Sequence, residues 1–343
     1  MGLYLCEHCF GDKELKAFCR ASKNIGTCSF TENSGVPVMD LSELISFFSG
    51  VLQLFEEDDS GEALSLIEIL KHDWSLFSSN RIGTMILNEV CRMTPFRLLS
   101  PTSKARYSIE LRRVCEPWSR LKEELKWEKR FHINTDDLTM EYVWDAIFAI
   151  QDELDANAPY YRARIHSEGR REPYSTEEMK APPKEKCAAG RANVSGIPYL
   201  YLCDDIDTVF YEVRATYLDD VSVGTFNQKD KNELINIVDF TKSRSLYSSD
   251  LSFDLKKVVQ FKLLTELISK DLSKPMRRYD SEREYIPTQF ICEFIRVYCG
   301  AKGVRFESSL HPGHTNLVIF EPDLMECKEV AHHIVNEINI KHS

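Results

Sequence analysis

Residues 190–202 have the sequence GRANVSGIPYLYL, and the organisation of the second half of the chain can be worked out from them. The first part contains Gly, Asn and Pro, which permit tight backbone turns close to a ligand. The aromatic and aliphatic run Tyr199–Cys203 predicts a strand. Asp205–Arg214 then predicts a helix, with Asp205 or Asp207 near its N-terminus.

The rest of the second half continues this mixed pattern. Short alternating runs of apolar and polar residues indicate strands, and apolar residues at i, i+3 and i+4 indicate amphipathic helices. Residues 167–190 are rich in Pro, Gly and charge, which indicates a loop. The predicted strands are Tyr160–His166, Val304–Glu307 and Leu317–Phe320, and the predicted helices are Phe253–Lys270, Tyr285–Cys299 and Cys327–Ile340.

The first half is predicted to be mostly helical after a cysteine-rich start. Asp40 and Glu43 have the spacing of a capping box, and apolar residues follow at helical spacing up to Phe48. Pro95 ends one predicted helix, and Pro117 suits the first turn of another. The further predicted helices are Glu62–His72, Arg81–Met93, Lys104–Val114, Trp118–Arg130 and Thr139–Ala156.

We therefore expect an α+β protein with more than one domain. The 343 residues exceed the length of one ordinary domain, which is roughly 150 residues. We place a cysteine-rich module at 1–35 and a helical domain at 36–150. A mixed domain of helices and strands, ending in a helix, follows at 151–343.

Composition excludes several classes of protein. The chain has 43 basic and 54 acidic side chains, a net charge of −11, which disfavours a protein that coats nucleic acid. No apolar run approaches the roughly 18 residues of a membrane span, and the first ten residues do not resemble a signal peptide. Eleven scattered cysteines indicate reduced thiols. We expect a cytoplasmic protein with no membrane or nucleic-acid partner.

Four cysteines are clustered at the start of the chain. Cys6 and Cys9 form a C-x-x-C pair that can present two thiolates to one Zn²⁺ ion. We expect Cys28 as the third ligand and Cys19 as the fourth, in a site that would order a segment poor in apolar residues. A set of reduced, partly packed thiols explains the same residues equally well.

Three short stretches in the second half have residues suited to binding a nucleotide. Arg162 and Arg164 would share one face of a strand, where a guanidinium suits a diphosphate and Tyr161 suits a stacked base. Glu212 lies among apolar residues of a predicted helix. The serines Ser308 and Ser309 precede a Gly/His loop and suit a ribose or a phosphate. Solvated arginines, a solvated glutamate and a polar hairpin are the alternatives for each stretch taken alone.

Taken together and in order, these stretches resemble the RES domain, over about residues 158–322. The first half resembles, more weakly, the HEPN-like helical region with a small cysteine cluster that precedes some RES domains, through GEALSLIEILKHDWSLF at residues 61–77. The motifs that carry the RES resemblance are YRAR at 161–164, MKAPP at 179–183, GRANVSGIPYLYL at 190–202, YEV at 211–213, YIPTQ at 285–289, FESS at 306–309 and TNLV at 315–318.

The resemblance implies a fold similar to ADP-ribosyltransferases and an activity on NAD⁺. RES domains are bacterial toxins that degrade NAD⁺ by hydrolysis or phosphorolysis, or transfer ADP-ribose to a protein. It implies a catalytic role for three residues and a binding role for five. The catalytic residues are Arg162, Glu212 and Ser308, and the binding residues are Tyr161, Arg191, Asn193, Tyr201 and Ser309.

We expect an enzyme that cleaves the nicotinamide–ribose bond of NAD⁺ and acts as a toxin or defence effector. A protein ADP-ribosyltransferase and a non-catalytic or RNA-directed HEPN protein are the alternatives. An antitoxin or inhibitor protein and a second copy of the chain are the partners to be considered. The Rossmann and P-loop motifs are missing from the sequence, and no R-x4–6-H motif of HEPN nucleases occurs between residues 40 and 150.

Overall fold

The computed structural model divides the chain into two compact units. Unit 1 comprises Met1–Glu116 with Ser243–Leu263, and unit 2 comprises Pro117–Lys242 with Leu264–Ser343. The residues that the structure describes are 2–60, 63–95, 98–131, 147, 150–242, 244–248, 254–275 and 282–337.

Unit 1 is built from short helices and three two-stranded sheets, which pair β1 with β4, β2 with β3 and β5 with β6. Its helices are α1 (Lys13–Arg20), α2 (Ile45–Leu52), α3 (Leu66–Trp74), α4 (Asn80–Met93) and α5 (Ile109–Arg112), with 3₁₀ turns at Glu7–Cys9, Leu41–Leu44 and Arg113–Cys115. Its strands are β1 (Tyr4–Leu5), β2 (Ile25–Thr27), β3 (Ser34–Pro37), β4 (Met39–Asp40), β5 (Phe55–Glu57) and β6 (Ala105–Tyr107).

The helices of unit 1 begin where side chains satisfy their free backbone amides. Asp12 caps α1 by accepting from the amides of Glu14 and Leu15, and Ser65 with Glu68 forms a capping box at α3. The helix predicted over Arg81–Met93 is confirmed, and three stacked phenylalanines form part of the core beneath it. These are Phe10, Phe48 and Phe77, with ring centroids 5.8–6.3 Å apart.

Unit 2 is organised around one mixed sheet of eight strands. The strand order is β14-β10-β8-β9-β13-β12-β11-β7. The strands are β7 (Gln151–Glu153), β8 (Tyr160–Ile165), β9 (Leu200–Cys203), β10 (Asp220–Gln228), β11 (Asn236–Asp239), β12 (Gly303–Glu307), β13 (Thr315–Ile319) and β14 (Met325–Ile334). The helices that lie wholly or partly in unit 2 are α6 (Glu116–Trp127), α7 (Thr176–Met179), α8 (Ile206–Glu212), α9 (Leu255–Ser273) and α10 (Ile286–Phe294), with a π-helical turn at Ile295–Cys299 and 3₁₀ turns at Lys184–Lys186, Glu282–Tyr285 and Pro322–Leu324. The residues of α9 up to Leu263 belong to unit 1.

Both faces of the sheet are covered by apolar side chains. On one face Tyr160, Leu202 and Phe226 belong to a buried cluster, and on the other Ala163 and Val209 help to pack α8. Helices and one mixed sheet together confirm the predicted α+β class.

Two segments that were predicted to be helices contain strands instead. The predicted helix Cys327–Ile340 is a strand over Met325–Ile334, antiparallel to β10. Val330 and Ile334 are four residues apart, a spacing that puts two side chains on one face of either a helix or a strand. Within the predicted helix Lys104–Val114, Ala105–Tyr107 forms a strand paired with Phe55–Glu57.

Two other predictions concern residues of which little is described. Most of the predicted helix Thr139–Ala156 lies outside the described residues, and its later part contains the short strand Gln151–Glu153. The end of the predicted helix Cys327–Ile340, after residue 337, also lies outside them. Across the described part of the chain, each helix is too short or too polar to span a bilayer.

Candidate active site

A half-open cavity of about 290 Å³ lies where strands β8 and β9 stop pairing. The two strands pair at Tyr161 opposite Cys203, and an extended ladder would put Ala163 opposite Tyr201. Both of these residues instead line the cavity, together with residues of α8, β12 and β13. The lining residues are Tyr161, Arg162, Ala163, Arg191, Tyr201, Leu202, Cys203, Val209, Glu212, Val213, Phe306 and Asn316.

Arg162 brings an unpaired positive charge to this cavity. Its Nη1 is shielded from solvent and makes no hydrogen bond to the described residues. Burial lowers the pKa of Arg162 to about 10, and the charge of Arg164 acts in the same direction. The guanidinium is still protonated at neutral pH, so it is a buried donor suited to an anionic ligand.

Glu212 stands at the end of α8 and is held by two donors. Ser308 Oγ donates to Glu212 Oε1 at 2.9 Å, and Asn316 Nδ2 donates to the same oxygen at 2.8 Å. Asn316 is itself oriented, because the Cys203 thiol donates to its Oδ1 at 3.1 Å. The carboxylate therefore has a fixed position in the cavity.

Ser308 lies behind Glu212 and is almost completely buried, with 3% of its surface exposed. Its hydroxyl oxygen accepts from the backbone amides of Leu310 at 3.3 Å and His311 at 3.2 Å while it donates to Glu212. These contacts suit a residue that positions the carboxylate. The thiol of Cys203 is the nearby candidate nucleophile, but burial raises its pKa, which keeps it protonated.

The loop formed by residues 190–193, here called the GRAN loop, is fixed by the side chains of Tyr201 and Asn193. Tyr201 Oη donates to Asn193 Oδ1 at 2.7 Å and accepts from the Ala192 amide at 3.1 Å, and burial raises the pKa of the phenol. A Cβ on Gly190 would lie 2.7 Å from both Tyr201 Oη and Asn193 Oδ1. Only glycine fits this close approach, which is why the loop begins with it.

Helix α10 holds the same loop from its other side. Gln289 Nε2 donates to the carbonyls of Gly190 at 2.8 Å and Asn193 at 3.0 Å, and Thr288 Oγ1 donates to the carbonyl of Arg191 at 2.6 Å. Arg191 lines the cavity, and its Nη1 donates to the carbonyl of Leu272 at 2.7 Å. The YIPTQ motif thus supports the backbone of the GRAN motif.

The structure brings most of the predicted site residues together, though not all of them. Tyr161, Arg162, Arg191, Tyr201 and Glu212 line one cavity, and Ser308 contacts Glu212 directly. Two predicted residues lie apart from the lining. The exceptions are Asn193, buried within the GRAN loop, and Ser309, whose hydroxyl donates to the carbonyl of Ser273.

Sequence reasoning missed Asn316, which lies in the TNLV motif and contacts Glu212. The sequence feature that could have indicated Asn316 is its amide side chain at the start of an otherwise apolar strand. That residue type is unusual there unless it has a buried partner.

The cysteine cluster of unit 1 has the geometry of a metal site. The sulfur atoms of Cys6, Cys9 and Cys28 all lie within 4.8 Å of one another, and those of Cys9 and Cys28 are 3.4 Å apart. Cys19 is also fully buried but does not belong to this group of three. The hydrogen bond from Cys9 lowers the pKa of Cys28.

Comparison with known proteins identifies the second half of the chain. The model of the RES domain family matches residues 159–337, just over half of the sequence. This match does not extend to the HEPN-like resemblance of the first half, which stays a prediction. Curated protein sequences gave no match.

One solved structure is similar at a low level. It is the crystal structure of the M. tuberculosis MbcT-MbcA toxin-antitoxin complex, with 14% sequence identity, 55% of this chain and 90% of that chain covered, and a TM-score of 0.30. A TM-score this low carries no conclusion about shared structure or partners. The family match stands on its own, and by it the chain belongs to the RES domain family.

Proposed function

We propose that this protein consumes NAD⁺ by cleaving the bond between nicotinamide and ribose. One observation carries the proposal. A fixed carboxylate, Glu212, lies in the same cavity as the guanidinium of Arg162, whose buried Nη1 has no hydrogen-bond partner among the described residues. Membership of the RES family, whose resemblance implies an activity on NAD⁺, supports it. In the hydrolytic reaction, NAD⁺ and water give nicotinamide, ADP-ribose and one proton.

The chemistry follows from where charge develops. As the bond to nicotinamide breaks, its electrons go to the ring nitrogen, and the ribose becomes oxocarbenium-like. Nicotinamide leaves as a neutral molecule, so the step needs no general acid. Glu212 stabilises the positive ribose electrostatically and accepts hydrogen bonds from its hydroxyls.

The remaining cavity residues bind and orient the substrate. Arg162 donates hydrogen bonds to the diphosphate. The oxygens of the diphosphate take the place of the water molecules from which the buried guanidinium is shielded. Tyr161 supplies an aromatic face for a planar ring. The Tyr201 hydroxyl is already occupied by the GRAN loop, so its contribution to binding is its ring and the shape of the loop. Ser308 is a positioning residue for Glu212.

The acceptor of the ADP-ribose is determined by incubating the purified protein with NAD⁺ labelled in the adenine moiety. In buffer without phosphate, we expect free ADP-ribose to accumulate with nicotinamide in equal amounts. A phosphorylase would release product only when phosphate is added, and a transferase would place the label on protein. No loss of NAD⁺ under any of these conditions would contradict the proposed function.

In the cell we propose that this enzyme is a cytoplasmic toxin or defence effector. Loss of NAD⁺ damages the cell that makes the enzyme. We therefore propose an antitoxin or inhibitor protein as the partner that keeps the enzyme inactive in that cell. The cavity is half-open, and a protein that covers its mouth would block access to Glu212.

In unit 1 we propose a structural Zn²⁺ ion bound by Cys6, Cys9 and Cys28. Their sulfur atoms converge, and thiolates at this spacing are the usual ligands of structural zinc. Cys6 Sγ lies 3.3 Å from Thr31 Oγ1, and the Phe30 amide donates to Cys28 Sγ at 3.5 Å. Such outer contacts orient metal ligands in known sites. The ion would stabilise unit 1 by joining β1 to the turn that follows β2.

Replacing Cys9 by serine is expected to remove this zinc. Measured by elemental analysis, Cys9→Ser should contain about one zinc ion per chain fewer than the wild type, and it should unfold at a lower temperature. Cys91→Ser is the matched control, because Cys91 is a half-buried thiol of the same unit that donates to the carbonyl of Leu99. Equal zinc content in the wild type and Cys9→Ser would refute the site.

A further inference from the structure

Two aspartates and two histidines meet beside the candidate active site. Asp204 and Asp205 join β9 to α8, and His311 and His314 belong to the loop that joins β12 to β13. His311 Nδ1 is 3.6 Å from Asp205 Oδ2. His314 Nδ1 is 3.8 Å from Asp204 Oδ1 and 3.9 Å from Asp205 Oδ2.

These separations suit ligands that share a metal ion. Bonds of about 2.0–2.2 Å from zinc to nitrogen or oxygen put neighbouring ligands of a tetrahedral ion roughly 3.3–3.5 Å apart. The ligand atoms of Asp205, His311 and His314 all lie within 4.8 Å of one another, so a small inward movement would bring these three side chains to a shared ion, with Asp204 beside His314. A direct hydrogen bond would require the shorter distance of about 2.7–3.2 Å.

A second cluster of the same residue types provides the contrast. His166, Asp220 and His332 also lie together, at the ends of three neighbouring strands. There His332 Nε2 is 2.7 Å from Asp220 Oδ1, and His166 Nε2 is 2.7 Å from Ser222 Oγ. These nitrogens are engaged in direct hydrogen bonds, and the pair at 2.7 Å is too close to hold a metal between them. In the first cluster His311 Nδ1 also has a contact of 2.8 Å, to Thr208 Oγ1, but both histidine nitrogens are 3.6–3.9 Å from the carboxylates.

The aspartates of the first cluster are held in place by neighbouring threonines. Asp204 accepts from the Thr315 amide at 2.9 Å and from its hydroxyl at 2.7 Å. Asp205 accepts from the Thr208 amide and hydroxyl, both at 2.9 Å. Outer hydrogen bonds of this kind orient carboxylates in metal sites.

The histidine rings are also arranged in advance and open to solvent. His311 and His314 are stacked with ring centroids 4.3 Å apart. Their side chains are 28% and 37% exposed, which leaves a path for a hydrated cation. The two carboxylates bring negative charge to the cluster that a divalent cation neutralises.

We propose that Asp205, His311 and His314 form a binding site for a first-row transition-metal dication, with Asp204 as the neighbouring carboxylate. Imidazole nitrogen together with carboxylate oxygen selects ions such as Zn²⁺, Co²⁺ and Ni²⁺ over Mg²⁺. Binding replaces the contact of 2.8 Å between His311 Nδ1 and Thr208 Oγ1, while Thr208 keeps its hydrogen bonds to Asp205.

The site would join the two segments that position Glu212. Asp205 precedes α8, which ends at Glu212. The amide of His311 donates to Ser308 Oγ, and the Ser308 amide donates to the carbonyl of His314 at 2.8 Å. A bound ion therefore fixes the loop on which the contact between Ser308 and Glu212 depends.

The test is a titration of the protein with Co²⁺ at about pH 7.5, followed by visible absorption. Cobalt bound by nitrogen and oxygen shows ligand-field bands, whereas cobalt bound by the cysteines also shows a thiolate charge-transfer band. We expect wild type to bind one Co²⁺ without the thiolate band and His314→Ala to bind it at least about 10-fold more weakly.

His332→Ala is the matched control, since it removes one histidine from the cluster whose nitrogens are engaged in hydrogen bonds. It should bind Co²⁺ as the wild type does. Circular dichroism checks the fold of both variants, and the partial exposure of His314 favours a folded His314→Ala. Undiminished binding by His314→Ala, loss of binding in His332→Ala, or no ligand-field band in wild type would each overturn the proposal.

Discussion

Replacing Glu212 by glutamine is expected to lower the rate of NAD⁺ consumption by at least about 100-fold, because it removes the charge that stabilises the ribose cation. The amide keeps the shape of the side chain, and its oxygen still accepts from Ser308 and Asn316. The fold and the affinity for NAD⁺ should change little. The loss should therefore fall on kcat and leave KM near the wild-type value.

Asp207→Asn is the matched control for this variant. It makes the same change of charge in the same helix, but Asp207 is exposed and does not line the cavity. We expect it to consume NAD⁺ at the wild-type rate. In growing bacteria, wild type and Asp207→Asn should deplete NAD⁺, and Glu212→Gln should not. A Glu212→Gln enzyme with wild-type kcat would remove Glu212 from the mechanism.

Local sequence patterns were sufficient to predict the strands and the helix that position the site residues. The alternation in Tyr160–His166 and Tyr199–Cys203 predicted strands that the structure has as β8 and β9. The helix predicted from Asp205 begins there because the Asp205 side chain caps it. These patterns are local, so a sequence read alone can show them.

Contacts between distant segments could not be predicted in this way. Nothing near Asn316 in the chain shows that its amide reaches Glu212, more than 100 positions earlier. The strand Asp220–Gln228 was missed because it is buried between two other strands, and its side chains do not alternate clearly between apolar and polar. Pairing with this strand also turns Met325–Ile334 into a strand, although its spacing suits a helix.

Arg162 offers a second test, in which activity and stability should change in opposite directions. Its charge is buried with Nη1 unpaired among the described residues, an arrangement that costs folding free energy when no ligand is bound. The lowered pKa of the guanidinium has the same origin, because burial disfavours the charged form in the folded protein. Such perturbed, buried charges cluster at functional sites, where a ligand supplies the missing partner.

We expect Arg162→Met to lower kcat/KM for NAD⁺ by roughly 10- to 100-fold, since a hydrogen bond to a charged group contributes about 1.5–3 kcal/mol. The loss should appear mainly as a higher KM, because the diphosphate is bound alike in substrate and transition state. The free energy of unfolding without NAD⁺ should stay the same or rise by on the order of 1 kcal/mol. Denaturant unfolding and steady-state kinetics measure the two effects.

Arg164→Met separates this effect from the general loss of an arginine from β8. Arg164 lies two residues further along the strand, does not line the cavity, and donates to the carbonyl of Lys180 at 2.9 Å. Its replacement removes the hydrogen bond of Nη2 together with a buried Nε that has no partner among the described residues, so stability should change little while NAD⁺ consumption stays near wild type. If Arg162→Met kept its kcat/KM, or if Arg164→Met lost as much kcat/KM as Arg162→Met, the diphosphate would have to be bound elsewhere.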